Sequence, residues 1–292
     1  MNLSSEAVNG VEIPQLGFGV YNVKQGKNSN FEQIISEAIK AGYRHFDTAR
    51  IYFNEEALGH AIGNSGVPRE DFFLTSKVWT TDLGYEQTQR AFEKSCKKLN
   101  TTYLDMYLIH FAGPHYVDAW KALEKLYAEG KIRVIGVANF EIEHLEHLKK
   151  HAEIIPMINQ IETHPEFQQQ PLREYMSRNQ ILHEAWGPLG QGNRSLFENE
   201  ELQSIARRHQ KTVGQVILRW HLNRGTIVIP KSSNPQRIKE NIDVFNFNLS
   251  EKDMERIAKL DKGKRYSVNP KGFQVNPIVV KLTNLFLKLR GS

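Results

Sequence analysis

Eight short runs rich in β-branched and aromatic residues recur along the chain, most of them followed by a stretch with apolar residues at helical spacing. The runs are PQLGFGV (14–20), HFDTA (45–49), FFLTSK (72–77), DMYLIH (105–110), VIGVAN (134–139), MINQIE (157–162), ILHEAW (181–186) and TIVIP (226–230). After the first, Phe31, Ile34, Ile35, Ala38 and Ile39 line one helical face, and Gly42 ends it. VDAWKALEKLYAEGK repeats the pattern with Trp120, Leu123, Leu126 and Tyr127, stopping at Gly130. Strands alternating with helices call for a parallel sheet covered by helices. Eight such units predict an α/β fold, a closed (β/α)8 TIM barrel with its helices outside. An open doubly wound sheet is the alternative, but it would normally carry G-x-G-x-x-G after its first strand, and the chain has none. Ahead of the barrel, VNGVEIP predicts a β-hairpin turning at Asn9-Gly10. No linker or internal repeat interrupts the 292 residues. A single domain is expected over 1–292, with the barrel core at 11–261 and a tail at 262–292.

Composition removes several other classes. At 40% hydrophobic and 24% charged the chain is ordinary for a folded domain. The net charge of +5 raises the question of nucleic acid, but the basic residues are scattered among 33 acidic ones, so no such partner is expected. The one cysteine, Cys96 in AFEKSCKKL, allows no internal disulfide and reads as a packed helix residue rather than a nucleophile. MNLSSEAVNG has neither the basic nor the apolar segment of a secretion signal, and no apolar run is long enough to span a membrane. A cytoplasmic protein is expected, with no metal site.

In a (β/α)8 barrel the chemistry gathers where strands end. Those positions here are Asp47, Lys77, His110, Asn139, Gln160, Trp186 and Lys231. Any one alone could be a satisfied core residue or a cap, and His110 alone would read as structural. Seven polar or aromatic groups at equivalent places are poorly explained by packing. Lys77 follows an apolar run and needs a partner, for which Asp47 is the obvious candidate. Tyr52 leaves the same strand as Asp47. A phenol is normally too weak an acid to help near neutrality, and an adjacent ammonium is expected to lower its pKa. His110 would hold a carbonyl oxygen. Asn139 and Gln160 suit a carboxamide, and Trp186 suits a stacked aromatic ring. Lys231, Ser232 and Arg237 precede a short helix and suit a phosphate monoester. Together these describe hydride transfer from a nicotinamide cofactor with a 2′-phosphate to a polarised carbonyl.

The chain resembles the aldo-keto reductase family from about Val11 to Asp261. GYRHFDTARIYFNEEALG, LTSKVW, YLIH, GVANF, NQIETHP, EAWGPLGQG, LRW and IPKSSNPQRIKEN follow in the family's order. The short loops and AWGPLGQG look most like its bacterial 2,5-diketo-D-gluconate and glyoxal/methylglyoxal reductase branch. The resemblance implies Tyr52 as general acid, tuned by Lys77 and Asp47, with His110 orienting the carbonyl. It implies NADPH held by Asn139, Gln160 and Trp186 at the nicotinamide and by Lys231, Ser232 and Arg237 at the 2′-phosphate. Glu240 and Asn241 would approach the adenine, and Leu189, Gln191 and Gly192, with Gly187, would border the pyrophosphate. The substrate would be a small aldehyde, α-dicarbonyl or keto-sugar in a pocket including Tyr21, Trp79 and Phe111.

Two motifs depart from the family pattern. Ala138-Asn139 stands where Ser-Asn is usual, removing one hydrogen bond to the carboxamide, worth about 1 kcal/mol. His110-Phe111-Ala112 stands where His-Trp-Pro is usual, which keeps an apolar wall and removes an indole N–H. The tail NPIVVKLTNLFLKLRGS puts Ile278, Leu282, Leu285, Phe286 and Leu289 on one helical face. A helix packed on the barrel, a dimer contact and a membrane-surface anchor are its three readings, with a monomer expected. Two other functions compete: an aldolase-like enzyme with Lys77 as a Schiff-base lysine, and a non-catalytic cofactor-sensing barrel that regulates a partner.

Overall fold

The computed structural model describes residues 5–23, 30–267 and 269–273. Strands β1 (Ser5–Val8) and β2 (Val11–Pro14) form the expected antiparallel hairpin, with Asn9 and Gly10 at φ 48° and 77° in its turn. Eight strands follow: β3 (Phe18–Gly19), β4 (His45–Asp47), β5 (Phe73–Val78), β6 (Leu104–Ile109), β7 (Ile132–Ala138), β8 (Ile158–Glu162), β9 (Leu182–Trp186) and β10 (Ile227–Val228). They pair in chain order, each parallel to the next. The sheet closes where β10 meets the chain entering β3. Val228 N–H donates to Gln15 O and Gly17 N–H to Val228 O, both at 2.8 Å, and Gly19 N–H donates to Pro230 O at 3.1 Å. Regular pairing at this seam is brief, which is why the runs expected at 14–20 and 226–230 shrink to two residues each.

The helices form where the periodicity placed them. Phe31–Ala41 buries Phe31, Ile34, Ile35, Ala38 and Ile39 and ends at Gly42, whose φ of 107° lets its N–H reach back to the last carbonyls. Tyr116–Ala128 buries Trp120, Leu123 and Leu126, and Gly130 follows at φ 70°. Cys96 lies buried in Tyr85–Leu99, and burial pushes its thiol up to about 12, which agrees with a packing role. No helix of the described residues is long and apolar enough to cross a membrane.

Strand periodicity decides what the barrel interior contains. Residues two apart share a face, so His45 and Asp47, Thr75 and Lys77, Leu108 and His110, Gly136 and Ala138, Ile158 and Gln160, and Glu184 and Trp186 form inward pairs. The residues between them face the helices: Phe46 packs on Phe72, the Ser76 hydroxyl donates to Glu55, and the Tyr107 ring meets Phe92. Gly136 has no room for a larger residue. A Cβ there would lie 2.4 Å from Ile158 Cγ2 and 2.6 Å from the Ile158 carbonyl oxygen. Gly136→Ala should therefore lower stability by about 1–3 kcal/mol, read as a lower urea midpoint at unchanged slope. An unchanged midpoint would mean the two strands separate at no cost.

After the helix Glu251–Ala258 the chain is strapped to the loop following β8. Lys262 and Lys264 N–H donate to Glu166 O, the Lys262 ammonium pairs with the Glu166 carboxylate, and the Tyr266 ring stacks on His164 at 4.5 Å. A four-residue helix, Pro270–Phe273, is the last element described. The amphipathic tail helix expected at 278–289 lies outside the described residues.

Candidate active site

Asp47, at the end of β4, and Lys77, near the end of β5, meet inside the barrel mouth. Lys77 is fully buried and donates to both Asp47 oxygens at 2.6 and 2.7 Å and to the Thr48 carbonyl at 3.0 Å. All three ammonium hydrogens are thus used, and the pair is neutral as a unit. Tyr52 stands beside it, with the Lys77 nitrogen 5.2 Å from its ring centre. The Tyr52 loop is braced from both sides. Thr48 Oγ1 donates to Asn54 Oδ1 at 2.6 Å, Asn54 Nδ2 to Val20 O at 2.9 Å, and Arg50 pairs with Asp82 at 2.5 Å.

His110 caps β6, its ring edge-to-face with Tyr52 at 5.7 Å and with Trp79 at 5.1 Å, and stacked on Phe111 at 5.2 Å. Tyr21, 64% exposed, leans over Tyr52 at 5.0 Å. The four residues expected to be catalytic therefore meet, and the three expected pocket residues ring them.

The electrostatics sharpen and partly reverse the sequence expectation. Burial, then the Asp47 charge, hold the Tyr52 phenol well above its ordinary pKa. The nearby Lys77 ammonium does not reverse this, because burial and the Asp47 charge both act against the phenolate. Tyr52 therefore keeps its proton. Burial and Lys77 hold His110 well below its ordinary pKa, which keeps its imidazole neutral.

On the far side of the mouth, Asn139 leaves β7 in the left-handed region, φ 61°, which asparagine tolerates better than most residues. Its Nδ2 donates to the His110 carbonyl at 3.0 Å, and its Oδ1 accepts the Trp186 indole N–H at 2.9 Å. Gln160 Nε2 donates to Asp47 Oδ2 at 2.9 Å and to Glu184 Oε2 at 2.8 Å. What remains complements a carboxamide: Asn139 keeps one N–H and Gln160 its carbonyl oxygen, neither with a partner among the described residues. From Gly187 to Gly192 four residues, Gly187, Gly190, Gln191 and Gly192, have φ between 54° and 78°, forming a tight loop at the rim beside Leu189.

Past β10, Asn234 caps the helix Pro235–Ile242 by accepting Arg237 N–H at 3.1 Å, while the Ser232 hydroxyl accepts Asn234 N–H at 3.1 Å. Lys231 and Arg237 form no ion pair among the described residues, and burial lowers the Lys231 pKa, as for a cation lacking its anion. These are features of a phosphate site. Glu240, bonded by Gln236 at 3.0 Å, and the buried Asn241 lie one turn further along.

Two residues of this network were not singled out in the sequence. Glu184 lies fully buried two positions before Trp186 on the same inward face, and that period of two was the available signal. His45 sits beneath Asp47, bonded to Thr75 Oγ1 at 3.1 Å and 3.7 Å from Glu184. Burial lowers His45 to about 4, while burial and Asp47 raise Glu184 to about 8, so both are neutral at pH 7 and their contact is not an ion pair. Elsewhere, the His147 and His151 rings lie 4.9 Å apart, but no group of three or more potential metal ligands occurs among the described residues.

The model of the Aldo/keto reductase family matches residues 15–262. Glyoxal reductase of Bacillus subtilis (strain 168) is 53% identical over 263 residues, covering 90% of this chain and 94% of that protein. Methylglyoxal reductase DkgA of Escherichia coli (strain K12) is 43% identical over 264 residues, covering 89% and 94%. A mutant of Gox0644, solved in complex with NADPH, superposes with a TM-score of 0.84 at 41% identity, covering 92% of this chain and 98% of that one.

Proposed function

The chain belongs to the aldo/keto reductase family, and from that premise we propose that it reduces small aldehydes, α-dicarbonyls or keto-sugars with NADPH, Tyr52 serving as general acid. The observation that carries this reading is the meeting of a protonated Tyr52, a neutral His110 and a closed Asp47–Lys77 pair at one barrel mouth. The bound cofactor supplies the hydride to the carbonyl carbon. The residues of the chain do the rest. His110 donates a hydrogen bond to the carbonyl oxygen and holds the carbon at the cofactor. As negative charge builds on that oxygen, the Tyr52 phenol gives up its proton, since an alkoxide is a far stronger base than a phenolate. The closed Asp47–Lys77 pair stands beside the Tyr52 ring and would hold it in place for the transfer. A neutral His110 has no surplus proton to give at the pH of the reaction, which favours Tyr52 as the donor.

The fit of the cofactor rests on what the mouth leaves unused. Asn139 and Gln160 would take the carboxamide, and Trp186, its indole tied to Asn139, would stack on the nicotinamide. The Gly187–Gly192 loop, including Leu189 and Gln191, would border the pyrophosphate. Lys231, Ser232 and Arg237 would hold the 2′-phosphate, with Glu240 and Asn241 near the adenine. Glyoxal and methylglyoxal, named for the two curated relatives above, are the first substrates to try. The aromatic ring of Tyr21, Trp79 and Phe111 accepts small carbonyls without a charged contact. The Schiff-base alternative is disfavoured because Lys77 donates three hydrogen bonds and, if deprotonated, would strand Asp47 in the interior.

Arg237→Ala tests the coenzyme. Losing a charge-assisted contact to the 2′-phosphate should cut the ratio of kcat/KM with NADPH to that with NADH by about ten- to a hundredfold. An unchanged ratio would remove Arg237 from the phosphate site.

A further inference from the structure

Gln160 is expected to meet the nicotinamide carboxamide, and a glutamine side chain can do so from either end: its amide can present an N–H or a carbonyl oxygen. Two acceptors in the barrel wall decide between them. Asp47 Oδ2 on β4 and Glu184 Oε2 on β9 each take one hydrogen of Gln160 Nε2, at 2.9 and 2.8 Å. Asp47 is already committed to Lys77 through both its oxygens. Glu184 has no such competing bond: its Oε1 is buried and unpartnered among the described residues. Burial and the Asp47 charge push Glu184 toward its neutral acid, and in either form Oε2 accepts from Gln160. Removing Glu184 would leave Gln160 with one hydrogen bond on its Nε2 and free its amide to turn.

We propose that Glu184 is a positioning residue for the cofactor: with Asp47 it locks the Gln160 amide so that the carbonyl oxygen, and no N–H, faces the NH2 of the nicotinamide carboxamide. The inference rests on the NADPH reading above. Glu184 touches neither cofactor nor substrate and acts through Gln160 alone. Because Asn139 is locked in the opposite sense by Trp186 and His110, the pair of amides accepts a carboxamide in one orientation.

Calorimetric titration of the full chain tests this without turnover. Wild type and the variants Glu184→Leu and Glu184→Gln are titrated with NADP+, with adenosine 2′,5′-bisphosphate, and with the acetylpyridine analogue of NADP+, in which a methyl ketone replaces the carboxamide. Glu184→Leu should weaken NADP+ by about five- to tenfold, the worth of one neutral hydrogen bond, and leave the bisphosphate unchanged. Glu184→Gln, a close mimic of the neutral acid, should bind all three like wild type. In wild type the analogue should bind about five- to tenfold more weakly than NADP+, for the same reason, and Glu184→Leu should weaken it no further. Equal affinity of wild type for NADP+ and the analogue would overturn the proposal with no variant needed. So would a Glu184→Leu protein that binds NADP+ normally, or one that loses the bisphosphate equally. Failure of wild type to bind NADP+ at all would instead overturn the cofactor reading itself.

Discussion

Tyr52→Phe should lower kcat for methylglyoxal by about a hundred- to ten-thousandfold, the span of a lost general acid, while the affinity for NADPH stays close to that of wild type. The substitution removes one oxygen and nothing else that the site uses. The Tyr52 ring keeps its edge-to-face contact with His110 and its contact with Tyr21, and the Asp47–Lys77 pair does not depend on the hydroxyl. A structural role would show as lost stability or weaker cofactor binding. A catalytic role shows as a fall in kcat with both intact, because only the transition state gains from the proton. Full turnover by the phenylalanine variant would return Tyr52 to the pocket wall and leave the proton donor unassigned. It would also revive the reading of the chain as a cofactor-sensing barrel.

The second large effect is on stability in acid. Burial holds four histidines below their ordinary pKa: His45 to about 4, His221 to about 3, and His110 and His183 well below normal. His183 illustrates the cause: after burial comes the Arg173 guanidinium, which donates to its Nδ1 at 3.2 Å and penalises a second positive charge. Unfolded, each would protonate near the ordinary histidine value of about 6.5. Below that pH the unfolded chain binds protons that the folded chain refuses, and stability falls by about 1.4 kcal/mol per pH unit for each histidine. Glu184 acts in the opposite sense. Its folded pKa of about 8 lies above its unfolded value, so it favours the folded state as pH falls through the same window and offsets one of the four. Three net protons imply a slope of about 4 kcal/mol per pH unit just below pH 6, a large share of the 5–15 kcal/mol of an ordinary domain for each unit. Urea midpoints at pH 7.5, 6.5 and 5.5 should be level over the first step and fall sharply over the second. A midpoint that holds to pH 5 would show that these histidines take up protons in the folded barrel. His221→Gln should make the slope shallower by about a third.

Most of the site is legible in the sequence because it is built by local rules. A strand's inward positions repeat every two residues and its carboxyl end faces the mouth, so Asp47, Lys77, His110, Asn139, Gln160 and Trp186 could be picked out from the ends of six runs. The hairpin at Asn9-Gly10 and the helix stops at Gly42 and Gly130 were readable for the same reason: turn chemistry resides in one or two residues. Strand lengths at the seam were not readable, because β3 and β10 are limited by how the two ends of the chain meet.

The sequence by itself determined the eightfold alternation, the inward face of each strand and the chemical groups at the strand ends. Only the tertiary structure decided their charge states and orientations. Gln160 and Asp47 are 113 positions apart, and the lock on the amide exists only when β4, β8 and β9 close around it. Tyr52 was expected to be acidified by Lys77, yet it holds its proton more tightly than a free phenol, because burial penalises the phenolate and the Asp47 charge opposes it. A pKa is the sum of desolvation and every charge nearby, and desolvation has no sequence-local counterpart. Periodicity identifies the groups that line the mouth, and three-dimensional closure sets which of them carry a charge.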